Sequence, residues 1–175
     1  MKYPLYLLAA CIVWLASCTT SHNKQLLGKW KAIQMESPRL NQEIKDAQLF
    51  IDTVGKSTTA TQNKELYGVE NMDSVREIMK EQIDLTLKEQ KRMIDSTWLN
   101  FLPNGIVASN FGAPQPDTIN WYLDEEGALI LDEMKMKGAG DKVVMEIVTL
   151  KEDTLRLRFN ENGYSSTATF IRDEK

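Results

Sequence analysis

Few residues in this 175-residue chain have the types and spacing that chemistry requires. The single histidine, His22, lies four residues after Cys18, and an isolated histidine near a terminus is a poor general base or metal ligand. The two cysteines, Cys11 and Cys18, also fall at the N-terminus, so a Ser-His-acid or Cys-His site inside the domain is excluded. No glycine-rich phosphate loop follows a strand and no Walker sequence is present. Asp124-Glu125-Glu126 sits where a turn is predicted, and Asp132-Glu133 beside Lys135 and Lys137 reads as a solvated strand end, so neither suggests paired-carboxylate catalysis. The chain is expected to be no enzyme, with no catalytic residue, no metal ligand and no cofactor. What remains is apolar: Trp30, Trp98 and Trp121 with Phe101, Tyr122 and Phe159 are either plain core or the wall of a ligand cavity. If a cavity exists, Trp30, Leu99, Phe101, Trp121 and Phe159 are its candidate lining.

The N-terminus has an organisation of its own. Lys2 precedes an apolar run from Leu5 to Ala16 that stops at polar Thr19 to Lys24. Such a run is too short for a spanning helix, which needs about 20 apolar residues, and it has the plan of an export signal. Leu15-Ala16-Ser17-Cys18 resembles the bacterial lipobox, an aliphatic residue and two small residues before an invariant cysteine. The resemblance implies that residues 1–17 are cleaved, that Cys18 becomes the first residue of the mature chain, and that it carries a thioether-linked diacylglyceryl group with palmitate-type chains. Each buried methylene contributes about 0.8 kcal/mol and two or more chains anchor stably, so the expected product is a lipid-anchored protein of the bacterial cell envelope. Thr19 rather than Asp after the cysteine points, by the enteric sorting rule, to the outer membrane. The alternative is a secretory signal whose cleavage site happens to precede a cysteine.

Cleavage would leave 158 residues, enough for one domain with a substantial core. Without Lys2 there are 20 basic residues against 25 acidic, a formal side-chain charge of −5. That argues against nucleic acid and anionic membrane surfaces as electrostatic partners. With Cys18 acylated, the domain has neither disulfide nor thiol.

The expected organisation is a polar tether at residues 18–24 and one domain over residues 25–175, with a helical insert at about 38–95. A first strand is predicted over Gln25 to Gln34, with Trp30 facing inward. Leu40, Ile44, Ala47, Phe50, Ile51 and Val54 recur at helical spacing from Pro38 to Gly55, although Gln48 to Val54 also has strand propensity. Lys56 to Asn71 reads as a polar linker. Ser74-Val75-Arg76-Glu77 reads as a capping box opening a second helix to about Asp95, with Val75, Ile78, Met79, Ile83, Leu87 and Ile94 on one stripe.

From Thr97 short strands alternate with hairpin signals: Pro103-Asn104-Gly105, Asp124 to Gly127, Lys137 to Asp141, Glu152-Asp153 and Asn160 to Gly163. Inward positions by alternation are Leu99 and Phe101; Ile119, Trp121 and Leu123; Leu129 and Leu131; and Leu155, Leu157 and Phe159. Lys142 to Leu150 is apolar on both faces, as if one were covered by the insert. With the first strand these make eight, and short connections force antiparallel neighbours. The expected fold is mainly β, an eight-stranded up-and-down barrel, closed or half-open, with a two-helix insert after the first strand.

Gly28-Lys29-Trp30 at the start of the first strand resembles the Gly-X-Trp signature of lipocalins, and the order of elements behind a lipobox is similar to that of bacterial lipocalin-like lipoproteins. The resemblance implies a barrel closed at one end by the signature tryptophan packed against an arginine near the last strands, Arg158 or Arg172. Parity prefers Arg172, so Gly28, Trp30 and Arg172 are the expected closure residues. Two functions follow as expectations. One is a lipid-anchored module, held to the membrane at Cys18, that binds a small apolar or amphipathic ligand. The other is a filled barrel that docks an envelope protein partner through its insert.

Overall fold

A computed structural model describes residues 22–173, and the lipobox with Cys18 lies outside them. The described chain divides into two compact units, a barrel unit (residues 22–36 with 94–173) and an insert unit (residues 37–93).

The barrel unit is a closed antiparallel barrel of eight strands in sequence order. The strands are β1 (Gly28–Glu36), β2 (Trp98–Phe101), β3 (Ile106–Asn110), β4 (Asp117–Leu123), β5 (Leu129–Asp132), β6 (Lys142–Leu150), β7 (Thr154–Glu161) and β8 (Tyr164–Arg172). Pairing of β1 with β8, from Trp30↔Arg172 to Glu36↔Thr167, closes the sheet and leaves it without edges. β1 begins later than the sequence suggests, because residues 22–26 form a helical turn that includes part of the expected tether.

Turn chemistry sets the register. At the β2–β3 hairpin the Leu102 N–H donates to Ile106 O at 2.8 Å and the Gly105 N–H to Leu102 O at 3.3 Å. Gly105 alone in this loop takes a positive φ, +75°, the pattern of a three-residue hairpin rather than of a two-residue Asn-Gly turn. Asp124 folds the β4–β5 turn by accepting from the N–H groups of Glu126 and Ala128 at 3.0 and 2.8 Å, so this acid is used by the turn itself.

Alternation then fills the interior. Trp30, Leu99, Phe101, Val107, Trp121, Leu129, Leu131, Leu155, Leu157 and Phe170 are buried in one cluster, with Leu123 and Phe159 packed partly buried against it. On β6 the outward-facing Val144 is 54% exposed.

The insert unit holds three helical segments rather than two: α1 (Pro38–Thr53), α2 (Ala60–Tyr67) and α3 (Asp73–Ser96), whose last turn enters the barrel unit. Ser37 caps α1, its hydroxyl accepting from the Leu40 N–H at 3.4 Å, and Pro38 occupies the first turn, where its missing N–H costs nothing. α2 occupies the expected linker. A reciprocal capping box of Thr59 and Gln62 starts it and left-handed Gly68 ends it. The α3 cap lies two residues ahead of Ser74: the Asp73 N–H donates to Asn71 Oδ1 at 2.9 Å and the Arg76 N–H to Met72 O at 3.0 Å. Ile51, Val54 and Met72 are buried, and the Arg76 guanidinium caps the end of α1 by donating to Val54 O at 2.6 Å. Along α3 Val75, Met79, Ile83 and Ile94 are half-buried, whereas Ile78 and Leu87 are exposed.

Candidate functional site

The two ends of the barrel differ in what their inward residues are. At the end where β1 begins, large side chains interlock. The Arg172 guanidinium lies 4.2 Å from the centre of the Trp30 ring and donates to Leu27 O at 2.8 Å, Gln25 O at 2.7 Å and Glu152 O at 2.6 Å. The Trp30 indole N–H donates to Leu26 O at 2.8 Å, and Leu26, fully buried, stoppers the end. Gly28 has φ +108°, and a Cβ there would stand 2.9 Å from Arg172 Nη1, so glycine is what lets the arginine reach across. Arg158 faces outward and forks onto Glu146, across the β6–β7 register. This end is closed.

The opposite end is formed by the β3–β4 loop, the stretch between β5 and β6, and the β7–β8 turn. Here the lining residues are mostly aliphatic or polar, with Phe111 of the β3–β4 loop beside them, and they leave space. A part-open cavity of about 340 Å³ is lined by Ser109, Phe111, Ile119, Leu131, Val143 and Met145, with Asn110, Ala113, Gln115, Asp117, Glu133 and Asp141 around its mouth. Its size falls at the lower end of small-molecule sites, and its make-up, an apolar wall with a few polar groups, is theirs as well.

Two local features build the mouth. Asp132, expected to be a solvated strand end, is the N-cap of a short helix, α4 (Glu133–Lys137), and accepts from the Lys135 N–H at 2.9 Å. That turn sends Lys137 back over the rim, where its ammonium pairs with Asp117 of β4 and approaches Glu133 at 3.5 Å. The Lys137 hydrogen bond, helped by the Thr118 N–H, holds the Asp117 carboxyl below its ordinary value. The same bond, followed by its Coulombic attraction, raises Lys137. The segment after α4 then packs Gly140 (φ +114°) against Glu133, with no room for a Cβ, which would lie 2.5 Å from Glu133 Oε2. Outside the barrel, Tyr122 is flanked by Lys135 and Lys142, whose ammonium groups stand 5.4 and 5.5 Å from its ring centre.

The lining residues expected from sequence lie away from this cavity. None of Trp30, Leu99, Phe101, Trp121 and Phe159 lines the mouth cavity. Trp30, Leu99 and Phe101 are fully buried, and Phe101 meets Trp121 edge to face with centroids 5.1 Å apart. These aromatics cluster toward the closed end and fill it, and Phe159 packs partly buried on the core. Trp121 instead borders a groove of about 370 Å³ outside the closed end, together with Lys24, Leu27, Pro103 and Tyr122, and its indole N–H donates to Leu102 O at 3.2 Å. The residues that do line the mouth gave no strong sequence signal, because a cavity is made by modest side chains at inward positions.

Two lining atoms are chemically unusual, Ser109 Oγ and Asn110 Oδ1, both buried and without a hydrogen-bond partner among the described residues. Leaving such a group unpaired costs about 1–3 kcal/mol.

No family model matches the sequence, and no curated protein matches it. A solved structure is similar. It is a DUF4847 family protein from Bacteroides vulgatus ATCC 8482, aligned over 85% of this chain and 94% of that chain at 8% identity and a TM-score of 0.41.

Proposed function

We propose that this chain is a lipid-anchored envelope protein, a lipocalin-like lipoprotein held by an acylated Cys18, whose barrel binds a small apolar or amphipathic molecule without chemical change. The observation that carries the reading is the cavity of about 340 Å³, apolar within and polar at its rim, in the mouth of a barrel whose other end is packed by Leu26, Trp30 and Phe101. The clamp of Gly28, Trp30 and Arg172 supports the likeness to lipocalins.

The anchor and the cavity are coupled through the fold. The closed end carries residues 22–27, and Arg172 grips the carbonyls of Gln25 and Leu27. Cys18 lies four positions before His22, a reach of at most about 14 Å when fully extended. An acylated Cys18 therefore holds the closed end toward the bilayer and turns the mouth away from it. The ligand is taken from the aqueous side rather than drawn from the supporting leaflet.

The second reading, docking of an envelope protein through the insert, is favoured by the apolar side chains of α3 that face solvent, Ile78, Leu85 and Leu87, of which Leu85 is 60% exposed.

Two measurements test these readings. In detergent phase partition, wild-type protein from its host enters the detergent phase and the Cys18→Ala protein stays aqueous; equal partition sinks the anchor. In native mass spectrometry, the mature Cys18→Ala chain exposed to envelope extract retains a small-molecule adduct. A bare mass contradicts the binding module, and a protein adduct moves the weight to the insert.

A further inference from the structure

The barrel mouth gathers three carboxylates, those of Asp117, Glu133 and Asp141. The β5–β6 ladder runs one rung past Asp132↔Lys142, because the Glu133 N–H donates to Asp141 O at 3.1 Å. Strand alternation therefore puts Glu133 and Asp141 opposite each other on the inner face, above Leu131 and Val143. Like charges directly opposite on a ladder are destabilising. Some relief comes from the Asp141 N–H, which donates to Glu133 Oε2 at 3.2 Å. Across the mouth the register Ser109↔Asp117 places a third carboxylate inward.

All three acids line the cavity and no basic residue does. Lys137 answers one charge from the rim, committed to Asp117 and touching Glu133 at 3.5 Å, which leaves an excess of two negative charges over an apolar pocket. Among the described residues no group of three or more His, Cys, Asp or Glu converges well enough to hold a metal ion. A second observation points to an organic occupant: Ser109, 1% exposed, lines the same cavity with an Oγ that has no partner. Its lone pairs accept an N–H, and its cross-strand neighbour Asp117 favours a positive donor.

We infer that the mouth cavity selects an amphiphile with a cationic, N–H-donating head, a primary or secondary ammonium, whose head meets Glu133, Asp141 and the Ser109 hydroxyl while its hydrocarbon lies on Ile119, Leu131, Val143 and Met145. This rests on the binding reading above and narrows it to one ligand chemistry. An anionic amphiphile of the fatty-acid type meets repulsion at the same rim. A charge-assisted hydrogen bond in a part-buried site is among the stronger polar contacts, and the expected preference over a neutral head is roughly tenfold.

The test is calorimetric titration of the mature Cys18→Ala chain at neutral pH with octylammonium, octanol and octanoate. Octylammonium binds tightest, octanol roughly tenfold weaker and octanoate weakest, and added salt narrows the gap. In the Glu133→Gln/Asp141→Asn double variant octylammonium falls to the octanol level. Should that variant fail a thermal-melt check, Asp141→Asn alone gives part of the same loss. Octanol or octanoate binding as well as octylammonium overturns the cationic head while leaving the binding module standing. A preference that survives the double variant also overturns it. No binding of any of the three overturns both.

Discussion

Replacing Arg172 by alanine tests the closed end, because one side chain there holds four partners. The substitution removes a guanidinium 4.2 Å from the Trp30 ring centre and its bonds to the carbonyls of Leu27, Gln25 and Glu152 at 2.8, 2.7 and 2.6 Å. The Leu27 bond is part-buried and contributes about 1.5 kcal/mol, the two exposed bonds about 0.5 kcal/mol each, and the cation–π contact about 0.5–1 kcal/mol. The expected loss is about 3 kcal/mol, or roughly 10 °C in Tm for a domain of this size. Arg158→Ala is the control. Arg158 makes a close fork to Glu146 at 3.2 and 2.9 Å, but on the outer surface with both side chains about half exposed, so its loss costs about 0.5 kcal/mol or less. Urea unfolding of the mature Cys18→Ala chain, followed by tryptophan fluorescence, reads both. If Arg172→Ala unfolds at the same urea midpoint as Arg158→Ala with an unchanged slope, the clamp is not what holds the barrel end shut.

Three further outcomes are expected. Ser109→Ala removes an unpaired buried hydroxyl, so the empty protein gains about 1 kcal/mol in urea unfolding while its affinity for octylammonium falls; a destabilised variant would mean that the hydroxyl has a partner. Gly140→Ala sets a Cβ 2.7 Å from Glu133 Cβ at φ +114° and costs about 2 kcal/mol or more, whereas Gly138→Ala, at φ +72° with open space around it, costs about 1 kcal/mol; equal losses would mean that close approach to Glu133 adds nothing. The Asp117–Lys137 pair has a pH signature. Asp117 has a folded pKa below the ordinary 3.8, so its stabilisation is present above that value and lost as pH falls through the lower folded value. Lys137, raised above 10.5, contributes below that value and loses its share as pH rises through the raised one. Urea midpoints of wild type and Asp117→Asn therefore converge at both extremes and separate between them; a constant offset across the range would contradict the pair.

The barrel was legible because its rules are local. Two-residue alternation in Ile119-Asn120-Trp121 and Leu155-Arg156-Leu157 marks the inward face, and Asn104-Gly105 and Asp124 to Gly127 mark the turns that fix antiparallel order. Gly28 and Trp30 stand out in the sequence through the likeness of Gly28-Lys29-Trp30 to the lipocalin signature rather than through any local rule. Helix α2 leaves no apolar stripe in the sequence because its eight residues are mostly polar, and the Thr59…Gln62 capping box is a local signal of it. The α3 start was misplaced by two residues because Ser74 fits a capping-box pattern while Asn71 does the accepting. The cavity was harder to see. Aromatics suggest a binding wall by their size, yet here they pack against one another, and the space lies where Ser109 and Val143 are too small to fill it. Glu133 and Asp141 are eight positions apart in sequence, and it takes the Asp132-capped turn of α4 to set them face to face.

Filling the mouth of the barrel decides whether it is a binding site. Val143→Trp places an indole in the cavity from an inward position that is 39% exposed, where added bulk has room. Native mass spectra are compared for the mature Cys18→Ala chain and the same chain carrying Val143→Trp, each after exposure to envelope extract. A small-molecule adduct is expected on the first and none on the second, with the two proteins melting at the same temperature. An adduct retained by Val143→Trp, or a bare mass for both, would contradict a binding site at the mouth.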